Sequence, residues 1–542
     1  MTTINSTTGR GTAARTIRHL ALVTTASLVT FTAASAADLP AKAKAVQYVK
    51  VCSLYGAGYY YMPGTDTCIK LSGYVRADAN FLGGNYDKPG WDQGNAEGTK
   101  SRDRDNFTTR VRTELQIDTR TTTEYGVLRT YMNPRFQFDT GAAPDTGVIT
   151  LDYGFVQFAG FTLGKAVSTF QTPWGSTGAN SSSSYFLGGY DNINGITQLA
   201  YTWQFGNGIS AQLGVEDTRV INRAQLLNAG ATYSPTLAFN SVGATVAASS
   251  TTAVAALSQG VWTNSYGGNV APDLVGNVRI DQKSFTFQVS GALHTVNANY
   301  YANGNPAAPS SVLETSGHPD VKLGGAVLAG FQLKNLPTGP GDKLSVDATW
   351  SKGATKYVIS GVTGNNFDIF GGGSPLPGSY QTFAVAQMFD AVYGTGSQLE
   401  LTTAWGVRAA FVHNWSPQWE TGVFASYSKI DYNTNAATGI CAAQARAVAG
   451  LVSTAGVAAS QGNGYSCNPD FAIFQIGTRT GWTPVKNLTF SAEVLYSRLD
   501  QNYTGSLLNV PAQVMGAFKP AGSYDYKDQG VISGNIGVRR TF

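Results

Sequence analysis

The sequence predicts an all-β fold, a transmembrane antiparallel β-barrel of 16 strands, from three observations. Segments of about 9–12 residues with alternating apolar positions recur along the chain. The positions between carry charge, and the connections alternate short with long.

Composition sets the frame. A chain of 542 residues would ordinarily hold several domains, although single-domain barrels depart from that prior. Charged residues make up 13%, about half the share usual in soluble proteins. Mean hydropathy is −0.10, and no run of about 18 apolar residues follows the N-terminus, so transmembrane helices are not expected. A formal net charge of +4, without a basic cluster interleaved with aromatics, argues against nucleic acid as a partner.

The alternation is clearest in three stretches. In 69–81, Ile69, Leu71, Val75 and Phe81 share one face, and Lys70, Ser72, Arg76, Asp78 and Asn80 the other. In 107–119, Val111, Leu115 and Ile117 oppose Arg110, Arg112, Glu114, Gln116 and Asp118. Leu344, Val346, Ala348 and Trp350 oppose Ser345, Asp347 and Thr349. A charge at every second residue cannot sit in a sandwich core, but it suits a wet lumen. The segments are 69–81, 107–119, 125–138, 149–159, 161–169, 196–205, 209–216, 274–281, 284–296, 322–334, 342–351, 399–413, 419–430, 471–482, 488–499 and 529–542. In 149–159 the faces compete: Leu151, Tyr153 and Phe155 against Val156 and Phe158.

Short connections include Ala159-Gly160, Gly206-Asn207-Gly208, Gln282-Lys283, Ser416-Pro417-Gln418 and Pro484-Val485-Lys486-Asn487. They are rich in residues that tight turns demand. Long ones, 217–273, 352–398, 431–470 and 500–528, are rich in Gly, Ser, Thr, Asn and Ala. Membrane barrels show this rhythm, with tight turns at one end and elaborated loops at the other. Trp203, Trp415, Trp419 and Trp482 lie near short turns, where an aromatic girdle would form. A soluble sandwich or propeller would share the alternation but not the rhythm, the charged face or the girdle.

Arg10, Arg15 and Arg18, the largely apolar stretch Leu20–Thr32 and then Ala34-Ser35-Ala36 read as an export signal. As a retained anchor the stretch falls short of the ~20 residues a span needs. The expected division is a signal over 1–36, an N-terminal segment over 37–68 and the barrel over 69–542. Cys52, Cys68, Cys441 and Cys467 allow three pairings, and in an oxidising compartment structural disulfides are the expected use. The run Ile536 to Phe542 alternates to a terminal aromatic, as expected of a strand that closes the barrel against the first, although Arg540 falls on the outward face.

The stretch from Val51 to Arg76 contains Cys52, Tyr55-Gly56-Ala57-Gly58, an aromatic run, Pro63-Gly64-Thr65-Asp66-Thr67-Cys68 and Ser72-Gly73-Tyr74-Val75-Arg76. It resembles the start of the alphaproteobacterial general porins, the porin type 2 family. The Ala36 to Pro40 junction, Gln198 to Thr202 with the following Gly206-Asn207-Gly208, and the closing Arg540-Thr541-Phe542 are similar too. The resemblance implies a homotrimeric barrel in outer-membrane lipid, with short periplasmic turns, long external loops and a third loop folded into the lumen. Here that loop would be Gln171–Gly195, whose only charge is Asp191, so an acidic constriction is not expected. On this topology Cys52 and Cys68 lie on the periplasmic side and Cys441 and Cys467 outside. Cross-pairing would span ~25 Å of wall, so Cys52–Cys68 and Cys441–Cys467 are expected.

The function implied is passive diffusion of small hydrophilic solutes and ions, with no enzyme chemistry and no cofactor. Selectivity would rest on pore width and lining charge. The pore-lining candidates are Arg76, Asp78, Arg110, Arg112, Glu114, Arg129, Arg135, Asp191, Arg479 and Arg539, tempered by Asp118 and Glu493. Closing the barrel would gather the arginines on one arc. They would either form a positive strip facing the inserted loop or simply pair with neighbouring carboxylates. A barrel enzyme is disfavoured: past the signal only His294, His318 and His413 remain, and no G-x-S-x-G occurs. A plugged receptor would need a globular domain before the first strand. A substrate-specific channel remains the rival to a general pore.

Overall fold

The computed structural model describes residues 50–82, 84–85, 88–89, 102, 106–140, 147–174, 186–191, 194–231, 264–302, 312–360, 364–374, 376–451, 456–512 and 518–542. The expected export signal over 1–36 lies outside the described residues.

The largest sheet holds 17 strands; one is the two-residue Tyr60–Tyr61, and the other sixteen form a closed barrel. In chain order these are β1 (Cys68–Leu82), β2 (Phe107–Thr123), β3 (Gly126–Asp139) and β4 (Val148–Phe158). Next come β5 (Phe161–Ala166), β6 (Ile196–Gly206), β7 (Ile209–Glu216) and β8 (Asp273–Asp281). The third quarter is β9 (Phe285–Val296), β10 (Lys322–Lys334), β11 (Lys343–Lys352) and β12 (Thr403–Ser416). The last is β13 (Trp419–Asp431), β14 (Phe471–Val485), β15 (Leu488–Gln501) and β16 (Gln529–Thr541). Each pairs antiparallel with the next, and β16 pairs antiparallel with β1 from Thr541↔Tyr74 to Ser533↔Leu82. Closure satisfies the edge groups that would each cost several kcal/mol in hydrocarbon.

Two departures from the expected boundaries have local causes. β5 ends at Ala166, because Ser168 to Gln171 leave the wall and turn inward. β12 begins at Thr403, because Glu400 and Leu401 pair instead with Val392 and Ala391.

Apart from β4, the long strands alternate as their sequences require. On β11, Ser345, Asp347, Thr349 and Ser351 are buried inside, while Val346 and Trp350 are exposed on the outer wall. β4 explains its own ambiguity: the β3–β4 register slips between Met132 and Pro134, placing Asn133 opposite an extra β4 residue. Asp152 therefore faces inward with Arg135, and beyond the bulge Gln157 faces inward with Arg129. Leu151 and Val156 both lie outside. One bulge swaps the face.

At the short-turn end, Asn207 and Gly208 both take positive φ (50° and 74°), the geometry of a primed hairpin turn. Trp203, Trp415, Trp419 and Trp482 all emerge on the outer wall at this end, and the last two stack at 5.7 Å. Arg540 is outward as expected, and its Nη1 donates to the Lys486 carbonyl in the β14–β15 turn at 2.8 Å. Ahead of β1, Tyr60–Tyr61 folds back on Cys68 and Ile69, and Cys52 is disulfide-bonded to Cys68.

The long loops differ most from expectation. Their Gly-, Ser- and Ala-rich composition implies external loops, yet they carry further sheets and a helix. Gln225–Asn228, Phe389–Tyr393 and Glu400–Leu401 form one sheet. Asn366–Phe370, Ser379–Gln387, Gly522–Tyr526, Thr504–Val510 and Ser460–Ser466 form another. A helix, α1 (Thr434–Ala449), is capped by Asn433, whose Oδ1 accepts from the Ala436 N–H at 2.8 Å. Cys441 on α1 is bonded to Cys467. Phe367, Ile369, Phe389, Ile440 and Phe471 share a buried core, so these loops form a folded layer that continues the barrel end.

Candidate functional site

The barrel interior divides into two halves. One is covered by the inserted loop. Its first limb crosses β7 to β9: Ser168 Oγ and the Thr169 N–H donate to the Glu216 carboxylate at 2.7–3.0 Å. Asn277 Nδ2 donates to the Thr169 carbonyl at 2.6 Å, and Gln288 Nε2 to that of Gln171 at 2.9 Å. Residues 175–185 and 192–193 lie outside the described residues.

The second limb, 186–191, lies across β12 to β15. The Leu187 N–H donates to Gln475 Oε1 at 2.7 Å, and Phe186 packs edge-on against Phe424. Beneath it Arg408 and Asp347 form an ion pair at 2.9 Å with both side chains fully buried, and Arg408 Nη2 also donates to the Tyr190 carbonyl at 3.1 Å. Gly406 stands where the loop touches the wall.

The other half, β16 and β1 to β4, carries most of the inward arginines among the described residues. Its inward cations are Lys70, Arg76, Arg110, Arg112, Arg120, Arg129, Arg135 and Arg539, and its inward carboxylates Asp78, Glu114, Asp118, Asp139 and Asp152. Eight against five leaves a formal excess of three positive charges among the described residues.

Each sequence-derived candidate has a definite place. Arg76 pairs with Asp78 at 2.7 Å, and Arg110 grips Asp139 through Nε and Nη2 at 2.6 and 2.8 Å. Arg112 donates from Nε to Gln137 at 2.8 Å, and Glu114 accepts from Gln116 at 2.6 Å. Arg129 reaches Asp118 and Gln157, both at 2.9 Å; Arg135 pairs with Asp152 at 2.9 Å. Arg479, on β14 outside this arc, pairs with Glu420 at 3.2 Å. Arg539 lies 4.0 Å over the Tyr74 ring. Asp191 stands apart from the arc, buried in the inserted loop and bonded to Gln171 and Ser360.

Several neighbours were missed. Arg120 falls one residue beyond the expected end of its strand, and Asp139 one beyond the next; both would follow from continuing the alternation. Asp152 was hidden by the bulge. Nothing local marks Arg408 and Asp347 as partners.

A family model described as porin subfamily matches residues 37–535. Porin Omp2b of Brucella suis is 31% identical over 212 residues, covering 37% of this chain and 52% of that protein. Porin Omp2a of Brucella ovis is 33% identical over 229 residues, covering 37% and 59%. The chain thus spans little more than half the length of the curated relatives it matches. Among solved structures, the outer membrane channel DcaP of Acinetobacter baumannii superposes with a TM-score of 0.52 at 14% identity, covering 89% of this chain and 99% of that one. That likeness bears on fold alone, whereas the family match runs across both halves of the interior, and by it the chain belongs to the porin subfamily.

Proposed function

We propose that this chain is an outer-membrane porin through which small hydrophilic solutes and ions diffuse passively, with a lumen that favours anions. One observation carries the reading. The inserted loop spends most of its contacts on the stretch of wall from β7 to β15, so the passage is bounded on its other side by the arginine-rich arc of β16 and β1 to β4. Most of these arginines pair with a carboxylate or amide, which moderates the field and suits a weak preference rather than a strict filter. The buried position of Asp191 removes the one acidic group the loop could have set against them. Tight turns mark the periplasmic end and the folded loop layer the external one.

The test is a reversal potential across a potassium chloride gradient in a planar bilayer. A potential toward the chloride equilibrium value supports the reading, and a clear cation preference overturns it. Liposome swelling with sugars of graded size separates a general pore from a specific one. A homotrimer is part of the proposal. On the outer wall of β15, β16, β1 and β2, Ala77, Ala79, Val111, Ile536 and Val538 border a shallow groove of about 530 Å³ suited to a neighbouring copy. Cross-linking in detergent that yields only monomers would remove that element.

A further inference from the structure

At the periplasmic mouth a second arrangement appears that simple diffusion does not require. The hairpin before β1 lies over the inward face of β2, held by the Cys52–Cys68 bond and by Tyr55, whose hydroxyl meets Thr122 Oγ1 at 2.7 Å. This brings Tyr55 and Tyr59 against Arg120, whose guanidinium lies 5.8 and 5.1 Å from their ring centroids. On β3 and β4, Tyr131 and Phe155 stack at 5.3 Å, and Arg129 lies over both, at 5.3 and 5.4 Å.

The two arginines share one counter-ion. Arg120 and Arg129 both reach Asp118, at 3.2 and 2.9 Å, and Lys70 stands opposite Asp118 in the β1–β2 register. Two guanidiniums on a single carboxylate leave a local excess of one positive charge, with Lys70 on the neighbouring strand. Both side chains also reach solvent: Arg120 and Arg129 are 29% and 27% exposed, whereas Arg110 higher in the arc is 2% exposed.

We infer that Arg120, Arg129 and the tyrosine and phenylalanine rings around them form a binding subsite for planar organic anions, of the aromatic carboxylate class, at the periplasmic mouth. The inference rests on the pore reading above and names a solute class for it. The chemistry is direct. A carboxylate meets the outer Nη hydrogens that Asp118 and Gln157 leave open, and the flat ring it belongs to lies against the neighbouring tyrosine and phenylalanine faces. A small inorganic anion can use the charge but not the stack. A saturated ring of equal charge presents no flat π-face.

The experiment uses the full mature protein in a planar bilayer, with benzoate, cyclohexanecarboxylate and acetate as probes of the chloride current. Benzoate on the short-turn side should block at a concentration at least about five-fold below cyclohexanecarboxylate, and lower still relative to acetate. It should also block more weakly from the opposite side. Arg120→Gln with Arg129→Gln should raise the half-blocking concentration about ten-fold or more. Tyr55→Leu, which keeps every charge, should abolish most of the preference for benzoate over cyclohexanecarboxylate. Equal block by the two ring carboxylates in the unaltered protein overturns the inference without any variant having to fold, as does an arginine variant that blocks like the parent. A preparation that conducts no potassium chloride overturns the pore itself, and is told apart by that current alone.

Discussion

Gly406 on the barrel wall and Gly188 in the inserted loop meet backbone to backbone: a Cβ built on Gly406 would lie 2.5 Å from the Gly188 carbonyl oxygen. Gly188 itself has φ +96°, and a Cβ there would press on the Val407 and Tyr427 carbonyls at 3.1 and 3.0 Å. Two glycines let the loop lie flat against β12 and β13.

Gly406→Val should therefore push residues 186–191 off the wall while leaving the barrel closed, at a cost of about 1–3 kcal/mol. The expected result is unchanged β-sheet circular dichroism with a lower single-channel conductance and more frequent closures. A conductance equal to the parent's would mean the loop is not held at this point.

Beneath the same limb, Arg408 and Asp347 are sealed from solvent. Arg408→Gln leaves a buried carboxylate unpaired and should destabilise the folded barrel by about 3–5 kcal/mol. Adding Asp347→Asn should recover a large part of that loss, because the double variant holds no lone charge. Thermal unfolding in detergent, followed by gel mobility, reads both; additive losses would argue against a coupled pair.

The external layer and the barrel should part company when Cys441–Cys467 is removed. The bond closes a 26-residue separation and is worth roughly 3 kcal/mol through the unfolded chain. Cys441→Ser with Cys467→Ser should open α1 to trypsin at Arg446, while the barrel core stays resistant. Digestion no faster than in the parent would show that the hydrophobic core alone fixes the helix.

The β10–β11 turn gives a pH signature. Desolvation alone would raise the Asp342 carboxyl, but donors from Thr338 and the Asn414 N–H, with His413 at 2.7 Å, outweigh it and hold it at about 2. The folded value is below the ordinary one of 3.8. Its contribution is thus complete above that ordinary value and is lost as pH falls toward and through about 2. Asp342→Asn should flatten the fall in unfolding midpoint across that acid window while leaving pH 7 behaviour to the remaining groups. An identical acid profile would remove Asp342 from the account.

The legible part of the sequence was whatever repeats at a period of two. β7 (209–216) and β10 (322–334) match their expected boundaries at both ends, because each is bounded by turn residues and alternates without a break. β4 was ambiguous because a bulge changes the phase within the strand. The folded outer layer was not legible, because its contacts join distant stretches of unremarkable loop composition. Tyr266 donates to Asp390 across 124 residues, and the Asp191 N–H to Ser360 across 169. The arginine arc was legible residue by residue, whereas the aromatic partners of Arg120 were not, since Tyr55 and Tyr59 reach it only after the hairpin folds back.

The seam between β1 and β16 has a kinetic meaning. Asn535 Nδ2 donates to Asn80 Oδ1 at 2.8 Å, two side chains 455 positions apart. Until both arrive, every partly zipped intermediate carries two raw strand edges, each a template for the wrong neighbour. Loop closure on that scale is slow, so those edges stay open until the final ladder locks.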